Sequence, residues 1–236
     1  MNKQKFKKEA FNKMPTVITE EKENLFRYKI PELLDGINNK GIELGVAKGY
    51  LAKKFLSTGK FVELYGVDAY CDIHDTAEYK SALKHIGIDS QYKLLRLSFE
   101  DALELFPNDY FDFIYIDGFA HTGEEGGKTI SDWYQKLKVG GIISGDDYHP
   151  DWPLVMWAVN HFASQINTTI TITACSSDDP YSLYPSWLIK KQNATTISTN
   201  PRLIEIANKE KKRIHLMRKY KFLAKISRVF SKLINQ

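Results

Sequence analysis

The chain has 236 residues, 43% of them hydrophobic and 26% charged, with a formal net charge of +4. That length and balance allow one sizeable core, and no apolar run approaches the roughly 20 residues of a membrane span. The charge is uneven: residues 201–236 carry eleven Lys/Arg and two Glu, while the remainder carries 22 basic and 27 acidic side chains, a mildly acidic body that excludes the basic surface of a nucleic-acid-binding domain.

In chain order, residues 1–39 read as a basic, helical extension without the apolar core of a signal peptide. Strand-like and helical runs then alternate. "GIELGV" is an apolar strand followed by the helix "AKGYLAKKFLSTG". "FVELYGVDAY" is a second strand, followed by "DTAEYKSALKHIG"; "YKLLRL" and "FDFIYIDG" are the third and fourth. The helix "GKTISDWYQKLK" leads to the fifth strand, "GGIISGDD", and "PLVMWAVNHFASQ" is a further helix. "TTITITA" and "PSWLIKK" complete seven strands. The turn-rich "CSSDDPYSLYP" between them has no helix and predicts an antiparallel pair at the sheet edge. The alternation predicts an α/β domain over residues 40–191, a doubly wound, mostly parallel sheet with an antiparallel last strand. Residues 192–236 read as a basic amphipathic helical tail.

Ligands of such sheets bind at the carboxyl ends of the strands. Asp68, Asp117, Asp146 and Asp147 stand at the ends of strands two, four and five, so they converge on one edge. Gly45 and Gly49 lie in the first strand-to-helix turn, where glycine permits close backbone approach and a helix start offers free N–H groups. Each feature has a plain alternative. The glycines serve any tight turn, Asp68 could cap the next helix, and Asp146-Asp147 could cap the helix opening at Pro153. Phe99 suits a core, as does Trp157, and His149 suits a loop.

The spacing "ELGVAKG", E-x-G-x-x-x-G, differs from the G-x-G-x-x-G of dinucleotide sites, which disfavours an oxidoreductase. With Glu43 it resembles motif I of class I S-adenosylmethionine (SAM)-dependent methyltransferases, and the likeness runs over residues 40–191. "YGVDAY" resembles the segment that binds the cofactor ribose, "LLRLSFEDALELF" the adenine segment, and "KLKVGGIISGDD" the fifth strand with its Gly-Gly turn. The resemblance implies a Rossmann-like fold. It also implies a SAM site formed by Glu43, Gly45, Gly49, Asp68, Ser98, Phe99 and Asp117.

The acids Asp117, Asp146 and Asp147 resemble the metal triad of catechol O-methyltransferase and of bacterial sugar O-methyltransferases, "DDY" at 146–148 most closely the latter. This implies Mg²⁺ or another divalent cation that orients an acceptor hydroxyl and lowers its pKa. The lysine that catechol-type enzymes place after the strand-four acid is absent, with Ala120 in its position. His121 follows, a proton acceptor suited to neutral pH, although "DGFAH" has one residue more than the D-G-x-H stretch of small bacterial relatives. Asp117 and His121 are therefore the expected catalytic residues. Tyr148, Trp152, Trp157 and the "DDPYSLYP" loop are the expected walls of an acceptor site.

The expected function is metal-assisted O-methylation of a sugar or glycan hydroxyl. A catechol-like acceptor and a catalytically silent SAM-binding partner remain alternatives. Two cysteines, Cys71 and Cys175, lead to the expectation of a reducing, cytoplasmic compartment. In the tail, Leu216, Tyr220, Leu223, Ile226, Phe230 and Leu233 form one stripe, and Lys211, Arg218, Lys225 and Lys232 another. That pattern suits peripheral contact with an anionic membrane, packing on the body, or a homodimer.

Overall fold

The computed structural model describes residues 3–71, 74–86, 91–176 and 182–234, with side chains between residues 7 and 220 of these, Glu124 excepted. In order, the elements are α1 (Lys3–Lys13), β1 (Thr19–Lys22), a 3-10 helix (Arg27–Leu33), β2 (Asn39–Leu44), α2 (Tyr50–Ser57), β3 (Phe61–Val67), α3 (Thr76–Ile86) and β4 (Tyr92–Leu95). There follow α4 (Phe99–Leu103), β5 (Phe111–Ile116), a 3-10 turn (Ala120–Thr122), α5 (Gly123–Gly126), α6 (Lys128–Tyr134) and β6 (Leu137–Gly145). The chain closes with α7 (Pro153–Gln165), β7 (Ile170–Thr173), β8 (Trp187–Lys190) and α8 (Pro201–Ile234).

The strands form one sheet in the order β1-β7-β8-β6-β5-β2-β3-β4, parallel except for β8, which runs against both β6 and β7. This is a Rossmann-like α/β architecture. The antiparallel pairing of the last two strands agrees with expectation, but the pair is not at the edge. β8 inserts between β6 and β7, and an eighth strand, β1, pairs parallel with β7 and covers it. The sequence "TEEK" hides this strand, because all four residues are exposed and no apolar alternation marks them. Its strand conformation comes from hydrogen bonding to β7, not from burial.

Alternate side chains of the central strands feed two apolar layers. Ile42, Leu44, Ile114, Ile116 and Ile143 face α6 and α7 in a cluster with Trp133, Trp157 and Phe162. Phe113, Tyr115, Leu64 and Ile142 face Leu51, Ala52 and Phe55 of α2, joined by Ile30 and Leu34 from the N-terminal 3-10 segment. The parallel direction of β1 has a consequence. Its exit lies at the carboxyl edge of the sheet, so the chain must cross that edge before starting β2 at the opposite one. The Ala174 N–H to Leu25 carbonyl bond, 2.8 Å, fixes the crossing beside the end of β7.

The first turns of α8 belong to the core. Leu203, Ile206 and Ala207 are buried, and Arg202 pairs with Glu9 of α1 at 2.6 Å. Further along, Leu216, Met217 and Tyr220 are exposed. Leu223, Ile226, Phe230 and Leu233, like Lys225 and Lys232 of the basic stripe, have side chains outside the described residues. No helix among the described residues is long and apolar enough to cross a membrane.

A truncation therefore separates the two halves of α8. Removing residues 214–236 should leave the unfolding free energy unchanged, whereas Leu203→Ala should cost about 3 kcal/mol, a full leucine-to-alanine cavity. Urea denaturation of the two variants checks both values.

Candidate functional site

The strand register builds the site. Leu44 of β2 lies level with Val67 of β3 and Ile116 of β5; Ile116 lies level with Gly145 of β6, and Val67 with Leu95 of β4. The next residue on four of these strands is Gly45, Asp68, Asp117 and Asp146, so they form one row along the carboxyl edge. Main-chain bonds carry the ladder one step further: Gly45 N–H to Val67, Asp117 N–H to Leu44, and Asp146 N–H to Ile116, at 2.8, 2.8 and 3.0 Å.

The loop after β2 is held tightly. Gly45 has φ +97°, and a Cβ there would stand 1.8 Å from the Asp117 carbonyl oxygen. Gly49, at φ +76°, begins α2 against Ile86. Asp68 does not cap a helix; Asp75 does that for α3, accepting from the Ala77 and Glu78 N–H groups. Instead Asp68 Oδ2 accepts the Val46 and Ala47 N–H groups at 3.1 and 3.0 Å, and Oδ1 accepts Tyr70 N–H at 3.1 Å. Asp68 thus pins the glycine loop, the ribose contact implied for it being an additional demand on the same oxygens.

Behind the loop, Glu43 is fully buried on β2, and its Oε2 has no hydrogen-bond partner among the described residues. Burial pushes its carboxyl well above the ordinary range; Asp117 and Asp68 add to the push, and Arg27 opposes it. Ser98, implied as an adenine contact, caps α4: its Oγ accepts Asp101 N–H at 3.0 Å and lies 2.7 Å from the Asp101 carboxylate. Phe99 packs on the core and meets Phe119 with ring centroids 5.1 Å apart. Phe119, which sequence reasoning did not select, is 40% exposed beside Asp117.

The expected metal triad is not assembled. Among the described residues, no three His, Cys, Asp or Glu side chains form a group able to hold a metal ion. The reason is Arg27. Its Nη1 donates to Asp146 Oδ2 at 2.5 Å and its Nη2 to Asp117 Oδ2 at 2.6 Å, so a guanidinium stands between the two carboxylates. Asp146 Oδ1 accepts the Ser186 hydroxyl at 3.1 Å, and Ser186 in turn meets the Tyr115 hydroxyl at 2.8 Å. As arranged, the residues do not fit a divalent ion. Arg27 escaped the sequence reading because "NLFRYKI" carries no motif spacing; the only available signal was an acidic row without a counter-charge.

Asp147 stands apart from this network. It holds a left-handed backbone, φ 61°, which Asp tolerates better than most residues. Burial, with Asp117 adding and Arg27 opposing, raises its carboxyl from 3.8 to about 7. Nor do these acids cap α7, whose N-cap residue is Trp152. His121 is exposed on its 3-10 turn, its ring edge-on to Trp152 at 4.8 Å. Trp152 meets Tyr184 at 5.9 Å, and Tyr184 meets His149 at 4.8 Å, so four rings line one rim next to Asp147. Of the other expected walls, Trp157 is core, and Tyr148 is buried with its hydroxyl donated to Asn160 at 2.6 Å. Residues 178–181 of the "DDPYSLYP" loop lie outside the described residues.

Residues 42–148 match the sequence family described as a methyltransferase domain. In three dimensions the chain is similar to a spermidine synthase in complex with the transition-state analogue AdoDATO: 14% identity, TM-score 0.54, covering 82% of this chain and 75% of that one. It is also similar to spermidine synthase from Thermotoga maritima, at 15% identity and TM-score 0.51, covering 81% and 76%. A provisionally described O-methyltransferase from Klebsiella pneumoniae aligns at 18% identity and TM-score 0.50, covering 66% and 74%. At these identities the likeness speaks for the fold alone. No curated protein matches the chain in sequence.

Two measurements test this geometry. Asp68→Ala removes three main-chain bonds to a charged acceptor and should destabilise the fold by about 3 kcal/mol in urea denaturation. Asp147, raised in the folded state to about 7, binds more protons when folded than when unfolded between about pH 4 and 7, so stability falls as pH rises through that window. Asp147→Asn should flatten that slope.

Proposed function

We propose that this chain is a class I SAM-dependent methyltransferase, a reading its matched domain and its fold support, and that it methylates a hydroxyl oxygen of a sugar or glycan, with Asp147 taking the proton. The observation that carries the reading is the loop after β2. Its Val46 and Ala47 amides, which in a dinucleotide site would face a pyrophosphate, are already bonded to the Asp68 carboxylate. The loop therefore offers no anion cradle, which suits a cofactor that carries no phosphate. The orphaned Glu43 oxygen fits such a group, because a cationic or hydroxyl donor arriving there would complete the missing bond. The Phe99–Phe119 pair supplies ring surface for a flat base.

When bound, SAM would supply an electrophilic methyl group for an acceptor oxygen, its sulfur keeping the electron pair of the broken carbon–sulfur bond. A carboxylate of this chain would take the proton that the acceptor hydroxyl loses. Asp147 suits that role: its carboxyl, raised to about 7, holds and releases a proton near neutrality. The rim of Trp152, Tyr184, His121 and His149 supports a sugar ring as acceptor, since apolar ring faces edged by acids match the faces and hydroxyls of a pyranose. Ala120, in the position of the catechol-type lysine, supports the sugar over a catechol.

Incubating the protein with SAM and panels of sugars and catechols tests the assignment by product mass, and methylation of catechols alone would overturn the sugar reading. Asp147→Asn should lower kcat by about 10²–10³-fold and remove its rise between about pH 6 and 8. If Asp147→Asn keeps that rise and His121→Ala loses it, the proton acceptor is His121 instead.

A further inference from the structure

We infer that Arg27 is a built-in counter-cation of the acidic row: it fixes Asp117 and Asp146 and bars a divalent ion from between them, so that methyl transfer here proceeds without metal. The catalytic half of this rests on the methyl-transfer reading; the cation-binding half does not.

Both terminal arms of the guanidinium are engaged, one on each carboxylate, and the side chain is 7% exposed. Its carbon lies 5.4 Å from the Tyr115 ring centroid, giving the cation an aromatic floor. Both oxygens of Asp146 are engaged, Oδ2 by Arg27 and Oδ1 by Ser186. A divalent ion bound through these acids would need their oxygens at about 2.1–2.5 Å and would first have to expel the guanidinium. Nothing about the arm suggests a mobile side chain. It leaves a 3-10 segment anchored by Ile30, which is fully buried among Leu51, Ala52 and Phe55 of α2.

An arginine also differs from a metal in kind. It stays charged across the working pH range, cannot be chelated, and presents a planar fork matched to two carboxylate oxygens. A cation is needed in this place. Asp117, Asp146, Asp147 and buried Glu43 lie close enough for their charges to act on one another, and uncompensated carboxylates in such a setting are costly. Arg27 supplies the compensation from residues 23–33, which cross the carboxyl edge, and it leaves Asp147 to face the acceptor rim. We assign Arg27 as a positioning residue, acting through the two acids it holds.

The test uses the full chain with Mn²⁺ or Mg²⁺ alone as the probe. Wild type should show no saturable Mn²⁺ uptake by calorimetry and no change of Tm with either ion, and its turnover of SAM should be unaffected by a chelator. Arg27→Met keeps the length without the charge and should lower Tm by about 10 °C, the expected scale for removing one partner of a buried ion pair. Adding Asp146→Asn to that variant should recover part of the loss, which a merely space-filling role for Arg27 would not produce. Uptake of one Mn²⁺ by wild type that Asp146→Asn abolishes would overturn the inference, as would a wild-type Tm in Arg27→Met. Should Arg27→Met fail to fold, Arg27→Lys keeps the charge but loses the fork and should give an intermediate Tm; the wild-type Mn²⁺ titration needs no variant. No metal uptake together with no turnover of SAM would sink the methyl-transfer reading while supporting Arg27 as the counter-cation.

Discussion

The structure depends on one register. Because β2, β3, β5 and β6 are parallel and level at Leu44, Val67, Ile116 and Gly145, the residues just beyond them share a row. A slip of one residue on β3, β5 or β6 would turn its terminal carboxylate to the other face and expose its apolar partners. The alternation of Ile42, Leu44, Ile114 and Ile116 against α6 and α7 opposes such a slip, so the packing that stabilises the sheet also aligns the acids. Stability and site geometry are here the same constraint.

That row brings carboxylates close together, and the protein manages their charge in three ways. Asp68 spends its charge on three main-chain N–H groups and thereby shapes the glycine loop. Asp117 and Asp146 share the Arg27 guanidinium. Glu43 and Asp147 stay uncompensated by direct pairing, and both have carboxyls raised above their ordinary values, chiefly by burial. A carboxylate bonded to amides, one paired with a guanidinium and one left with a raised carboxyl differ in charge and in how readily they exchange a proton.

The N-terminal segment ties these together. A four-residue charged strand pairs with β7, and its parallel direction delivers residues 23–33 across the carboxyl edge. Ile30 then locks the segment to α2, and Arg27 enters the acids from that platform. What reads along the chain as an extension preceding the domain is, in space, a cover over its functional edge. At the other end of the chain, Leu203 and Ile206 likewise bury the base of a helix whose composition reads as a separate basic tail.

The sequence by itself determined the sheet class, seven of the eight strands, and the acids gathered at the carboxyl ends of the strands. Those features are local: strand periodicity, a glycine turn and a terminal Asp are written in neighbouring residues. Only the tertiary structure decided what each acid does. Asp68 bonds to amides 21 and 22 residues away, and Arg27 reaches Asp117 and Asp146 across 90 and 119 residues. The β1 strand and the place of β8 inside the sheet are non-local for the same reason. Sequence pattern records which side chains a strand buries, whereas charge compensation depends on which distant segment arrives above the strand ends, and no short-range spacing encodes that arrival.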